Sequence, residues 1–100
     1  MARLIYSAAA ISDIEDLTAF LAKSDPVTAE VTFSLIDEAV TILKRHPLIG
    51  RPVEDDLREL IISRGKTGYI ALYSYEAADD AVLILTIRHQ REAGYWRTQI

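Results

Sequence analysis

The sequence contains no cysteine, which excludes disulfide bonds, thiolate nucleophiles and most zinc sites. It has only three prolines and four glycines in 100 residues, too few for a disordered or low-complexity chain. No apolar run approaches the roughly 20 residues that a membrane-spanning helix needs, and residues 1–6 lack the apolar stretch of a signal peptide. We therefore expect one globular domain, residues 1–100, located in the cytoplasm.

The charge is low and unevenly distributed. Fifteen acids against eleven Lys and Arg give a formal net charge of −4, which argues against a protein whose whole surface binds nucleic acid. From residue 86 onward, however, Glu92 is the only acid, and the bases there are Arg88, Arg91 and Arg97, with His89 titratable beside them. We expect a local basic patch on an acidic body, with no sequence-specific binding of nucleic acid.

The first half of the sequence predicts a strand followed by two helices. Residues 3–6 are a short apolar-leaning run, and Ser7 is a suitable N-cap for a helix over residues 8–23. Asp25 and Pro26 then form a cap and first position for a second helix, which ends before Pro47. The two apolar stripes have helical spacing and consist of Ile11, Ile14, Leu17 and Leu21, then Val27, Val31, Leu35, Ala39 and Ile42. Two helices joined by so tight a turn are expected to pack as an antiparallel hairpin.

The second half changes to the pattern of strands. After a predicted loop at residues 48–56, three runs rich in Ile, Leu, Val and Tyr follow at residues 57–64, 69–75 and 81–88. The short turns between them predict a three-stranded antiparallel meander. Residues 82–87 are apolar on both faces and predict a central strand. The fold class is therefore α+β, in the order β-α-α-β-β-β.

Four segments together resemble the RelE/ParE toxin superfamily across essentially the whole chain. They are the stretch from Ile87 to Tyr95 (IRHQREAGY), the LREL of residues 57–60, the YIALY of residues 69–73, and His46-Pro47 leading into Gly50-Arg51-Pro52. Each segment is weak alone, and the combination is specific. The resemblance implies a toxin of a bacterial toxin–antitoxin pair, with two N-terminal helices packed on an antiparallel sheet.

The sequence of residues 88–95 is similar to that of ParE-like members. That branch inhibits DNA gyrase through a protein contact and stalls its complex with cleaved DNA, which needs a shaped surface and neither a cofactor nor a catalytic group. The residues that the resemblance assigns to the target contact are Arg58, Arg88, His89, Arg91, Tyr95 and Trp96.

The alternative branch, RelE-like, cuts mRNA in the ribosomal A site. Carried over by position, Arg58, His89, Arg91 and Tyr95 would supply the cations and proton transfer of such an endoribonuclease. Against it, Ile70 stands where RNA-cutting relatives usually have an arginine, and Ile61, Ile62 and Ser63 replace a lysine-rich stretch. A third hypothesis is an inactive relative retained as a binding module.

The resemblance also implies a partner, a ParD-like antitoxin in a hetero-oligomer. A short hairpin cannot bury every apolar residue of its helices, so part of their surface is available to the antitoxin. The predicted contacts are Ile14, Leu17, Phe20, Leu21, Leu35, Val40 and Leu43. We expect the antitoxin tail to bring apolar anchors with some Lys or Arg, and to direct its own acids toward residues 88–97.

Several candidates also have ordinary structural interpretations. Arg58 in a strand would form an ion pair with a nearby acid, and His89 at a strand end would be a hydrogen-bonded structural histidine. Tyr69, Tyr73 and Tyr75 alternate along a strand and predict core packing. With no cysteine and only His46 as a second histidine, we expect no metal site.

Overall fold

The structure, a computed structural model, describes residues 1–64 and 67–89. Its elements are β1 (Arg3–Tyr6), α1 (Ala8–Ser24), α2 (Pro26–Thr41), a 3₁₀ turn (Ile42–Lys44), β2 (Arg51–Pro52), β3 (Leu57–Arg64), β4 (Thr67–Glu76) and β5 (Ala81–His89). The strands form one five-stranded sheet in the order β1-β5-β4-β3-β2. The predicted α+β class and element order are confirmed. The prediction of a plain loop at residues 48–56 was wrong in part, because β2 lies there and pairs with β3.

Two capping residues set the helix boundaries, as the sequence indicated. The Ser7 hydroxyl accepts a hydrogen bond from the Ala10 N–H at 3.0 Å, which satisfies one of the free donors at the start of α1. The Asp25 N–H donates to the Leu21 carbonyl and ends α1, while its carboxylate accepts from the Val27 N–H at 3.0 Å and begins α2. A single residue thus joins the helices, which pack against each other as a hairpin.

The meander is confirmed, because β4 pairs antiparallel with β3 on one side and with β5 on the other. β1 pairs with β5 in parallel, from Arg3 opposite Ala81 to Tyr6 opposite Ile84. β5 is therefore an interior strand, as predicted, although the middle position of the sheet belongs to β4. Opposite Leu72 and Tyr73 the register of β5 shifts by one residue, so that Leu85 is an extra residue at a bulge.

Side chains of the first helix complete the edge of β5 beyond the end of β1. The Ser7 hydroxyl donates to the Leu85 carbonyl at 2.8 Å, and the Asp13 carboxylate accepts from the Ile87 N–H at 3.0 Å. Backbone groups that would otherwise lack a strand partner are satisfied by α1 instead. These bonds fix α1 across the sheet.

The core lies between the helices and one face of the sheet. Its fully buried members include Ile36, Val40 and Leu43 from the helical part and Tyr73, Val82 and Ile84 from the strands. Tyr69 is buried and Tyr75 packs against the same cluster, so the interpretation of these tyrosines as core residues is confirmed. Among residues 1–64 and 67–89, no helix combines the length and apolar character that crossing a membrane requires.

Candidate functional site

A buried tyrosine holds the loop before β2 against the sheet. The Tyr73 hydroxyl donates to the Pro47 carbonyl at 2.8 Å and accepts from the Gly50 N–H at 2.9 Å. Burial raises the pKa of Tyr73, although the Gly50 hydrogen bond and the charge of Arg58 oppose that rise. Gly50 is required at this point, because a Cβ there would lie 2.5 Å from the Tyr73 oxygen and 2.9 Å from the Glu59 carbonyl oxygen.

The side chain of Arg58 binds the backbone of the same loop. One guanidinium nitrogen, Nη1, donates to the Leu48 carbonyl at 3.0 Å and to the Gly50 carbonyl at 2.8 Å. Among residues 1–64 and 67–89, Arg58 forms no ion pair with an acid, which was its ordinary interpretation. The neighbouring Glu59 carboxylate is buried and receives a 2.6 Å hydrogen bond from Arg51 of β2. The motif that spans residues 46–52 is explained by this fastening of the loop.

The described site candidates are not gathered in one place. Residues paired across a sheet project from the same face, so Arg58, opposite Tyr73, lies on the face that packs against the helices. Arg88 lies opposite Ile70, on the other face, and is exposed. His89 shares the face of Arg58 but pairs with Tyr69, four residues along β4 from Tyr73, a separation of about 13 Å along the strand.

The His89 ring packs against an aromatic neighbour. It meets Tyr69 edge to face, with ring centroids 5.6 Å apart and planes at 83°. This contact fixes the imidazole at the end of the sheet. The remaining predicted target-contacting residues, Arg91, Tyr95 and Trp96, lie outside the described residues.

The helix surface predicted for the antitoxin divides into two groups. Phe20 is 68% exposed, and Ile14, Leu17, Leu21 and Leu35 are half-buried. Val40 and Leu43 are 0% exposed, and their assignment to a partner-binding surface was wrong. Val40 faces the sheet, and the 3₁₀ turn that follows α2 carries Leu43 into the core while Ile42 stays exposed.

Apolar side chains of β1, α1 and α2 line a pocket. It has a volume of about 280 Å³ and is lined by Tyr6, Ile11, Ile14, Phe33 and Ile36, with Glu15 and Asp37 beside them. Burial, and then the negative charge of Asp37, raises the pKa of the Tyr6 phenol. Phe33 was not among the predicted contacts, because it lies off the predicted stripe. That stripe was itself partly wrong, since Val27, Val31 and Ile42 are exposed. The residues of α2 that are buried are Ala29, Thr32, Ile36 and Val40.

Comparison with known proteins matches residues 4–94 to a family described as the ParE toxin of the parDE type II toxin–antitoxin system. The chain belongs to the ParE toxin family. It is 34% identical over 80 residues to Toxin RelE3 of Caulobacter vibrioides, covering 80% of this chain and 85% of that protein.

Two solved structures share the fold of this ParE family member. The chromosomal ParDE toxin–antitoxin system from P. aeruginosa aligns with a TM-score of 0.75 at 22% identity, covering 89% of this chain and 96% of that one. The RelBE2 complex from Mycobacterium tuberculosis aligns with a TM-score of 0.58 at 23% identity, covering 89% and 98%. The protein is thus a toxin of a type II toxin–antitoxin system of the ParE/RelE superfamily.

Sequence reasoning missed part of what positions the site in this ParE toxin. Gly50 and Tyr73 were recognised as parts of motifs, but their mutual hydrogen bond was not foreseen, since 23 residues separate them. Asp13 was assigned no role from the sequence, whereas its carboxylate accepts a hydrogen bond from the backbone of β5. No local pattern in the sequence signals either contact.

Proposed function

We propose that this toxin inhibits DNA gyrase through a protein contact, as a ParE-like toxin, and that a ParD-like antitoxin neutralises it. The observation that carries the proposal is the match of residues 4–94 to the ParE family. The geometry of the described sheet supports it further.

Of the four residues assigned to RNA cleavage, the two that the structure describes, Arg58 and His89, lie far apart. Promoting attack of a ribose hydroxyl on a phosphate needs cations and a proton-transferring group around one reacting centre. Arg58 is bonded to two loop carbonyls, and His89 lies about 13 Å from it along the sheet. Ile70 stands where RNA-cutting relatives carry an arginine, and it is buried and pairs with another isoleucine, Ile61. This arrangement favours a contact surface over a nuclease centre.

The proposed gyrase-binding surface begins at the end of β5 on the face opposite the helices. Arg88 is exposed there, in the same cross-strand row as Ile70 and the 47% exposed Ile61. Arginine is enriched at protein interfaces, and an exposed apolar side chain on the same face of the sheet extends such a surface. We propose Arg91, Tyr95 and Trp96, which lie outside the described residues, as further gyrase contacts.

The test is a supercoiling assay with purified toxin, gyrase and relaxed plasmid. We expect loss of supercoiling and accumulation of cleaved DNA after detergent trapping, with both effects reversed by the antitoxin. Arg88→Glu should raise the inhibitory concentration by about tenfold or more, because it reverses a charge at the proposed contact.

Arg3→Glu is the matched control. Arg3 is an exposed arginine on the same face of the sheet as Arg88. It lies at the other end of β5, in the cross-strand row of Ala81 and Glu76. The Arg3→Glu variant should inhibit gyrase like the wild type. Unaffected supercoiling together with mRNA cut at the A site of a reconstituted translation system would overturn the proposal and establish the RelE-like alternative, which the name of the Caulobacter relative favours.

A further inference from the structure

An open pocket lies where α1 and α2 meet the first strand. Its volume of about 280 Å³ is ample for one leucine or phenylalanine side chain and just below the roughly 300 Å³ where small-molecule sites begin. Ile11 and Phe33 at its mouth are each 48% exposed. Large apolar side chains gathered around a concave opening indicate a contact surface for another macromolecule.

The rim of this pocket is acidic. Glu15 of α1 and Asp37 of α2 both line it, and a shallower groove beside it is bordered by Glu15, Glu30 and Phe33. The charge of Asp37 reaches the pocket interior, because together with burial it raises the pKa of Tyr6 there. An apolar centre between two carboxylates is complementary to an apolar side chain flanked by cations.

The surrounding helices have the same sign of charge. Residues 8–41 contain seven acids and one base, Lys23, for a formal charge of −6 within a chain of −4. A second copy placed with its hairpin on this one would bring two such surfaces together, and an anionic membrane or nucleic acid would be repelled likewise. The charge therefore selects a basic partner segment.

We propose that the antitoxin segment that covers the hairpin inserts one apolar side chain into the pocket formed by Tyr6, Ile11, Ile14, Phe33 and Ile36, with Lys or Arg on either side of that anchor pairing with Glu15 and Asp37. This inference rests on the proposed function for the existence of an antitoxin, and it specifies the chemistry and position of the contact. The hairpin thus takes a basic, apolar segment, while the basic patch from residue 86 onward requires acids from the antitoxin.

The experiment measures, by titration calorimetry, the affinity of the toxin for the antitoxin that neutralises it on co-expression. Phe33→Ala should weaken binding by about tenfold or more, since it removes the aromatic wall of the pocket. The double variant Glu15→Lys with Asp37→Lys should weaken binding several-fold in about 50 mM salt, and the difference should shrink in about 500 mM salt, because exposed charges are then screened.

Two matched variants serve as controls. Ile49→Ala removes an apolar side chain that is 58% exposed in the loop before β2, and Asp79→Lys reverses an exposed acid in the β4–β5 turn. Both should bind within about twofold of the wild type. Circular dichroism of each variant confirms that it is folded.

Two results would overturn the inference. One is wild-type affinity of Phe33→Ala and of the double charge reversal for an antitoxin that still binds the wild-type toxin. The other is a stable dimer of the antitoxin-free chain in sedimentation that Phe33→Ala dissociates, because the pocket would then hold a second copy. Neither affects the supercoiling assay, so failure of this inference and failure of gyrase inhibition are distinguishable.

Discussion

Replacing Tyr73 by phenylalanine removes a single oxygen from the middle of the fold. That oxygen accepts from the buried Gly50 N–H and donates to the half-buried Pro47 carbonyl. An unsatisfied buried N–H costs about 1–3 kcal/mol, and a lost hydrogen bond to a group that water can reach costs roughly 0.5–1.5 kcal/mol. We therefore expect Tyr73→Phe to lower the free energy of unfolding by about 3 kcal/mol. For a domain of this size the melting temperature would fall by roughly 12–24 °C.

Urea denaturation measures this loss directly. The midpoint should fall while the slope of free energy against denaturant stays unchanged, since the surface exposed on unfolding is the same. Tyr75→Phe is the matched control, because its hydroxyl donates to Asp80 in an exposed position at 2.8 Å and water can replace that bond. Equal effects of the two substitutions, or a loss below about 1 kcal/mol for Tyr73→Phe, would refute the reasoning.

Three further predictions concern the same fold. Gly50→Ala should destabilise by about 1–3 kcal/mol in urea melts, because its Cβ would lie 2.5 Å from the Tyr73 oxygen; wild-type stability would contradict this close approach. Because burial raises the pKa of Tyr73 above its ordinary value of 10.0, its neutral form contributes stability that is complete below pH 10 and is lost as the pH rises through the folded-state pKa. Melts from pH 8 to 12 should show this decline, and Tyr73→Phe should make it shallower; identical slopes for the two proteins would count against it. Asp56→Gly should stabilise by about 0.5–1 kcal/mol, since Asp56 has a φ of 61°, whereas Asp79→Gly, at a residue whose own φ is not positive, should give no gain.

Local chemistry made the helices and strands predictable. Ser7 and Asp25 bind backbone groups two or three residues away, so their capping can be predicted from neighbouring residues in the sequence. The change from helical to strand spacing near residue 57 likewise needs only a short window. The motifs of residues 46–52 and 87–95 indicated the family, which the hydrophobic periodicity alone does not reveal.

The contacts that depend on three-dimensional packing were not predictable in the same way. β2 has only two residues and forms because β3 lies beside it. No run of β-forming residues in the sequence predicts it. Val40 and Leu43 are apolar like their exposed neighbours, and only the position of the sheet decides which of them are buried. Arg58 bonds to carbonyls eight and ten residues away in a loop whose shape the sequence does not specify.

The parallel pairing of the first strand with the last has a consequence for biosynthesis. Residues 3–6 pair with residues 81–84, and the Ser7 hydroxyl bonds to a carbonyl 78 positions later. A ribosome adds about 5–20 residues per second, so several seconds pass after β1 emerges before its partner exists. Until then the sheet lacks both β5 and the pairing of β1, and the closure of so long a loop makes this a late folding step. The pairing of β1 therefore cannot form until residues 81–84 have been synthesised.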